Sequence, residues 1–433
     1  MIGKLSFAQA SYLLARTDIG VDWQKANRYQ HLSAQAAIQQ SLHQAFSHPP
    51  SPPSFTAWTV LSQLHAADYA SIKKARRLAR QEGIQLKLWW IKHLASTDNT
   101  LQERMVLFWH NHFTAANDKI LQPELLWRQN QTIRRHALGN FADLLVAMLK
   151  DPALLIYLDG QMNQKGDLNE NLARELLELF TIGLGQFNET DVKATASVLT
   201  GWQVDRAKVT SFFDHTHHEK KVVHLLGKAQ HYSLTDLVQR LLAHPHTART
   251  IAKKFWHEFI SIEHPPASVI NAWGKNFQRH NYDIKALLAN VLNSDAFWSA
   301  QHQGNLIKSP IELIVGALRQ LPYPAPPDAE MINMLKNLGQ RLFDPPNVKG
   351  WAGGKNWINS KTLLIRNAFL RELARQNNDK PVYNQRLPQL AQQDFSLLNQ
   401  WLLPIDPVLT LPTNQSVSAR IRALILDPAY QLK

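Results

Sequence analysis

Asp167-Leu-Asn-Glu-Asn-Leu-Ala-Arg-Glu-Leu-Leu-Glu-Leu-Phe-Thr-Ile-Gly183 reads as one helix with two chemically opposite faces. Asp167, followed three residues later by Glu170, has the spacing of a capping box. Gly183 is placed as a left-handed stop. At ~100° per residue, Leu172, Ala173, Leu176, Leu177, Leu179 and Phe180 fall on one side. Glu170, Asn171, Arg174, Glu175, Glu178 and Thr181 fall on the other. An ordinary exposed face mixes in Lys, Gln and Ser, whereas this one sets three carboxylates around one arginine. The plainer reading is an ion-pair ladder, since Arg174 lies four residues from both Glu170 and Glu178 and each such pair contributes roughly 0.2–0.5 kcal/mol.

The same 3.6-residue periodicity runs outward in both directions. Leu121 to Leu158 and Leu234 to Trp256 carry it, strand-like alternation is rare, and hairpin dipeptides are almost absent. The expected fold class is all-α: a large irregular multi-helix domain over 1–433, with long loops and little or no sheet. Two helices are expected within 5–46, then a proline-rich linker at Pro49–Pro53, and helix again over 57–96. A helix from Leu101 to Trp109 runs into a His110-Asn111-His112 turn. Beyond the carboxylate helix, another spans Asp191 to Leu199 and is closed by Gly201-Trp202. Residues 203–232 form an irregular, histidine-rich insertion. Helices return over 233–260, 266–298 and 309–321, and a Pro/Gly/Trp loop spans 343–359. The last helices come after a proline-bearing segment at 404–412. Lys150-Asp-Pro-Ala153, Ser294-Asp-Ala-Phe297 and Asp427-Pro-Ala-Tyr430 each end an apolar helix, with the aspartate placed to start the next turn.

Composition narrows the chemistry. With 47 Lys and Arg against 34 Asp and Glu, the formal charge is 47 − 34 = +13, which suits an anionic polymer or glycan as partner. The basic pairs are short and scattered, so nucleic acid is not the expected partner. There is no cysteine, which excludes disulfides, thiolate metal sites and cysteine nucleophiles. No apolar run reaches the ~18 residues of a membrane span. The first ten residues lack the ordered charged start, apolar core and cleavage site of a signal peptide. A cytoplasmic location is therefore the default expectation, with a periplasmic or exported one as the alternative.

Three further stretches hold candidate chemistry. In Phe108-Trp-His-Asn-His-Phe113, two imidazoles at a helix end can turn toward one point, and imidazole is the commonest metal ligand at neutral pH. In Phe212-Phe-Asp-His-Thr-His-His-Glu-Lys-Lys221, three histidines lie within four residues. Leu342-Phe-Asp-Pro-Pro-Asn-Val-Lys-Gly-Trp351, with Trp357-Ile-Asn-Ser360 close behind, makes a stiff loop whose tryptophans either cover a site or pack on the core. Glutamates paired with imidazoles suit zinc, manganese or iron, and equally suit metal-free acid–base work when burial separates their pKa values. The Glu-x-x-His and His-Glu-x-x-His metal motifs, phosphate loops, dinucleotide fingerprints and serine elbows are all missing from the sequence.

Taken in order, these motifs resemble the large bacterial family known as domain of unknown function 1800. The resemblance rests on Phe108–Phe113, Asn169-Glu170-Asn171, Ala173-Arg174-Glu175-Leu176, Glu178-Leu179 and Thr181-x-Gly183. It continues through Asp191-Val192, Thr200-Gly201-Trp202, Lys308-Ser309-Pro310, Pro345-Pro346 and Gly350-Trp351, from Ala8 to Leu432. Family members usually carry a single histidine before Asp, Lys and Leu-Gly. Here His217-His218-Glu219-Lys220 precedes Leu226-Gly227, so either histidine matches. Members often accompany exported sulfatase- or phosphatase-like proteins, which the resemblance implies as a companion and which points to an envelope role.

The motifs and the resemblance together support two functional expectations. In the first, an enzyme performs metal-dependent or acid–base hydrolysis or group transfer on an anionic or glycan substrate. Glu170, Arg174, Glu175 and Glu178 are its catalytic candidates, and His110, His112, His217 and His218 are candidate ligands for a divalent metal ion. In the second, the chain is a non-catalytic basic scaffold for an acidic polymer or an exported partner.

Overall fold

The computed structural model describes residues 3–44, 46, 48–56, 69–321, 325–375, 394–411 and 416–433. It is mostly helical, and the sheets among the described residues are two small antiparallel hairpins. Both fall in the 203–232 segment, which is therefore not wholly irregular. Trp202–Asp205 pairs with Thr210–Phe213, and Val223–Leu225 pairs with Lys228–Gln230. The second hairpin turns at Leu226-Gly227, both with positive φ, and Asp191 accepts the Leu226 amide. No described helix is long and apolar enough to cross a membrane.

Several expected helices are divided where the sequence carries a cap. The 5–46 stretch holds three helices, Phe7–Thr17, Trp23–Tyr29 and Ala34–Leu42, capped by Ser6, Asp22 and Ser33. Residues 57–68 of the expected 57–96 helix lie outside the described residues; Tyr69–Ser96 is helical. Residue 412 of the 404–412 segment also lies outside them. The 233–260 stretch breaks at His244-Pro245 into Leu234–Ala243 and Pro245–Phe259, because proline suits a first turn but not an interior. Of the three recurrent Asp phrases, Asp151 and Asp427 do cap the next turn. In the third the cap is Ser294, with Asp295 already inside the helix.

The carboxylate stretch differs most from its expected form. Asp167 sits in a turn bridged to Gln164 and caps nothing. Asn169 takes that role by accepting the Asn171 amide. A short α-helix, Asn171–Glu175, runs into a π-helical turn, Leu176–Phe180, and the Gly183 amide bonds back to Leu177 at φ +95°. The apolar side is buried except for half-buried Leu179, but the π-turn widens the turn and rotates the residues beyond it. Thr181 is consequently buried, its hydroxyl donating to the Leu176 carbonyl, and does not join the polar face.

The Thr100–His112 helix lies at the centre of the fold. Its capping residue is Asn99, and all of its residues but Leu107, Phe108 and Asn111 are buried. Glu103, fully buried, accepts both Nε and an Nη of Arg134 at 2.7 and 2.8 Å and the Trp90 indole at 3.0 Å, and His93 approaches to 3.2 Å. Burial pushes the Glu103 carboxyl up, but the bonds from Arg134 and His93 outweigh it and hold it down at about 2. Removing one member of such a pair strands the other charge, which costs about 3–5 kcal/mol. Glu103→Ala should therefore lower the unfolding free energy by that order in denaturant titration. Because the folded pKa lies below the unfolded value, this contribution is present above pH ~4.3 and is lost as pH falls toward 2. In Glu103→Ala the acid limb of stability should flatten; an unchanged limb would assign the pair no net role.

Candidate functional site

The helix of three carboxylates is an ion-pair ladder, and its reach differs from the sequence reading. Arg174 donates to Glu170 at 3.1 Å and to both oxygens of Glu189 at 2.8 Å. Glu189 begins the next helix. Glu170, Arg174, Glu175 and Glu178 are all half-buried, not enclosed. Burial and the neighbouring Glu178 raise the Glu175 pKa. Glu178 instead faces Lys349 at 3.8 Å.

His110 and His112 are both buried and serve different neighbours. His110 Nε2 accepts the Phe343 amide at 3.3 Å, and its ring stands edge-on to Trp90 and Phe343. Burial drives its pKa down to about 3, so it is neutral. Asn111 between them clamps Trp351, accepting its amide at 2.7 Å and donating to its carbonyl at 3.2 Å. Thr114 donates to Val348 and the Asn117 amide to Phe343. The motif thus straps the 343–351 loop onto the core. A Cβ on Gly350 would collide with Asn111 Oδ1, which requires glycine there, at φ +75°.

His112 receives a hydrogen bond at Nδ1 from Lys254 Nζ at 2.8 Å, and that ammonium also donates to the Leu179 carbonyl at 3.1 Å. The link to the carboxylate helix is therefore through its backbone and the apolar Phe180 ring, 5.6 Å away. Burial and then the Lys254 charge hold His112 well below the usual imidazole pKa, while a Phe180 backbone contact pulls weakly the other way. Burial alone lowers Lys254 to about 8.

His217 and His218 lie in the turn after the first hairpin. His217 Nδ1 bonds Asp214 at 2.7 Å, and His218 Nδ1 lies against the Thr200 carbonyl and hydroxyl at 3.0 and 3.1 Å. Gly201 is packed so closely that a Cβ would meet the Asp214 carbonyl at 2.8 Å. Asn163 ties this region to the carboxylate helix, donating to Ala196 and accepting the Asn169 amide. The structure does not bring the four metal candidates together. Among the described residues no group of three His, Asp or Glu is placed to hold a metal ion.

What the structure does assemble is a cavity of about 750 Å³ beside His112. The Pro245–Phe259 helix gives it Lys254, His257 and Glu258, which recur on one face at i, i+3 and i+4. Trp351 and Trp357 of the strapped loop wall it, with Lys349 and Lys355 beside them. Arg104, Glu312 and Lys433 form its floor: Arg104 binds Glu258 at 2.7 Å and Glu312 at 2.5 Å, and Lys433 also pairs with Glu312. Burial pushes the Glu312 carboxyl up, but Lys433 and Arg104 hold it well below the ordinary range. Arg104, Lys254, Lys349, Lys355 and Lys433 face Glu258, Glu263 and Glu312, an excess of positive charge. Lys254, Glu258 and Glu312 were missed in the sequence. The signal of the first two was a Lys-x-x-His-Glu pattern on the Pro245–Phe259 helix, and Glu312 was concealed as the reciprocal member of the Ser309 capping box.

The fold and this cavity define a large helical protein built around a polar, cationic chamber with an aromatic roof. The family model described as Protein of unknown function (DUF1800) matches residues 12–432, and the chain belongs to that family. No curated protein and no solved structure matches it.

Two substitutions separate strap from ladder. Gly350→Ala should loosen the loop, and amides at 348–352 should exchange with deuterium faster than in the wild type while the Glu103 region stays protected. Arg174→Ala should shift stability by no more than about 1 kcal/mol in denaturant titration, as expected for a half-exposed pair; a larger loss would show the ladder to be essential to the fold.

Proposed function

We propose that the chain is an enzyme that acts on an anionic substrate in the cavity roofed by Trp351 and Trp357, by metal-free acid–base hydrolysis or group transfer. The observation that carries this reading is Lys254. Its ammonium lies at the wall of a cavity, within the protein and without a carboxylate partner among the described residues, and is held by His112 Nδ1 and one carbonyl. A half-buried ammonium without a carboxylate loses part of its hydration uncompensated, and a substrate anion would supply the missing counter-charge. With a pKa near 8, Lys254 exchanges a proton readily at neutral pH. It is then suited to protonate a leaving oxygen, with His112 fixing its direction by accepting one of its hydrogen bonds.

Arg104 supplies no proton; paired to Glu258 and Glu312, it fixes those carboxylates at the floor of the cavity. Lys349 draws the substrate toward the rim, and Glu178 sets its position. This reading gives Glu178 an indirect part in the site, and leaves Glu170 and Arg174 to join the carboxylate helix to Glu189 of its neighbour. The tryptophan walls favour a flat or glycosidic substrate body.

Untagged protein should be assayed against chromogenic phosphate and sulfate monoesters and uronic acid glycosides, with metal content measured on the same sample. Turnover should fall on the order of 10²-fold or more in Lys254→Met. The alkaline limb of the rate profile should have its midpoint near pH 8, activity declining as the ammonium deprotonates. Salt-sensitive binding of an acidic polymer without turnover, unaltered by Lys254→Met, would establish the scaffold reading instead. A stoichiometric metal lost in His112→Ala would restore the metal-dependent one.

A further inference from the structure

A second chamber, of about 440 Å³, lies on the other side of the Glu312–Lys433 pair, which lines both. It is bounded by the Phe7–Thr17 helix, the 399–406 segment and Lys308. Lys308 belongs to the Lys-Ser-Pro motif, for which the proposed chemistry has no use. Its backbone is fixed on both sides: its amide donates to Gln431 at 2.8 Å, and its carbonyl accepts from Arg366 at 2.9 Å. Ser309 then caps the next helix. The side chain cannot relocate far from the chamber without breaking this anchorage.

Lys308 Nζ sits 3.8 Å from the centre of the Tyr430 ring, and no carboxylate lies within ion-pair distance among the described residues. A cation over an aromatic face recovers only part of the hydration lost on burial. The nearby acids are already committed. Glu312 is bound by Arg104 and Lys433, and Asp18 by Lys25 at 2.7 Å. A second polar group on the same chamber is left unmatched, since the Ser11 hydroxyl is buried and has no hydrogen-bond partner among the described residues. The remaining wall is largely apolar and aromatic, with Val21, Trp401 and Leu403 prominent. Burial lowers the Lys308 pKa to about 7; Glu312 pulls the other way, and the Lys433 and Arg366 charges add to the fall.

We propose that this chamber binds a small organic acid, one carboxylate on an apolar or aromatic body, with the carboxylate paired to Lys308 and hydrogen-bonded by Ser11. One available cation sets the charge at a single anionic group, and Asp406, exposed on the chamber's lining, repels a second. A water-filled chamber would satisfy the polar groups but leave the apolar wall wet; an amphiphilic acid satisfies both. The site is separate from the Lys254 cavity, so its occupancy does not depend on the activity proposed above.

Phenylacetate is a suitable probe, with phenylacetamide as its uncharged counterpart, titrated calorimetrically into the full chain. Phenylacetate should bind and the amide should not. Lys308→Met should weaken binding by at least about tenfold, the ratio expected for loss of a charged hydrogen bond. Lys308→Arg should retain most of it, and Lys254→Met should leave it unaltered. Reductive methylation read by mass spectrometry gives an independent measure on unmutated protein. Lys308 should be modified near neutral pH and protected by phenylacetate, whereas Lys254 should not be protected. Absence of binding at millimolar concentration, equal binding of the amide, or protection at Lys254 instead of Lys308 would overturn the proposal. Loss of the Lys254 chemistry alone would leave it standing.

Discussion

Two consecutive residues, Glu103 and Arg104, impose the constraint on which the architecture rests. They leave the Thr100–His112 helix in different directions and both are buried. Each must therefore meet its opposite charge inside the protein, since stranding either costs about 3–5 kcal/mol. Glu103 is met by Arg134 of the Pro123–His136 helix. Arg104 is met by Glu258 of the Pro245–Phe259 helix and Glu312 of the Pro310–Gln320 helix, and Lys433 closes the second group through Glu312. One helix thereby fixes the position of three others and of the last residue in the chain. Apolar burial supplies most of the driving force, but it is not directional. The ion pairs are directional, and they specify which helices meet and at what register.

The same helix then determines the loop. Its last turn presents His110 and Asn111 to Phe343 and Trp351. These are backbone contacts, so they fix the path of the loop whatever its side chains. Gly350 allows the approach because nothing larger than hydrogen fits against Asn111. The roof of the cavity is consequently as well placed as its floor, and both descend from residues of a single helix. A site built this way is pre-organised by elements that would fold in its absence.

The sequence disclosed the helices because their apolar periodicity answers directly to burial, and their ends because Ser, Asp and Pro cap by local chemistry. It disclosed the importance of Phe108–Phe113 without its role. In the structure one nitrogen of His110 meets a loop amide and one of His112 a lysine 142 residues away. No local pattern encodes such partners. The exposure of the carboxylate helix was not legible for a related reason. A face of three glutamates and an arginine has the same spacing whether it is enclosed or half-exposed, and the π-turn that rotates Thr181 inward has no periodic signature. Glu312 shows the converse: its capping-box spacing was explanation enough in sequence, while its carboxylate also binds Arg104 and Lys433.

Across the interior, cations are matched with care. Lys25 meets Asp18, Lys87 meets Asp344 at 3.0 Å, and Arg16 donates to the carbonyls of Phe259, Ile260 and His302. The Arg16 case is instructive, because carbonyls at a helix end carry partial negative charge and can hold a guanidinium without any carboxylate. A lysine has fewer donors and a stronger hydration shell to lose, so carbonyls compensate it less well. Lys254 and Lys308 depart from the matching, each at the wall of a chamber. A fold that pairs Glu103, Glu312, Arg104 and Arg134 so closely has the means to pair these two as well, and incurs an energetic cost by leaving them open. On the two proposals made above, an arriving anion would recover that cost, and charge would be the selection rule at both chambers.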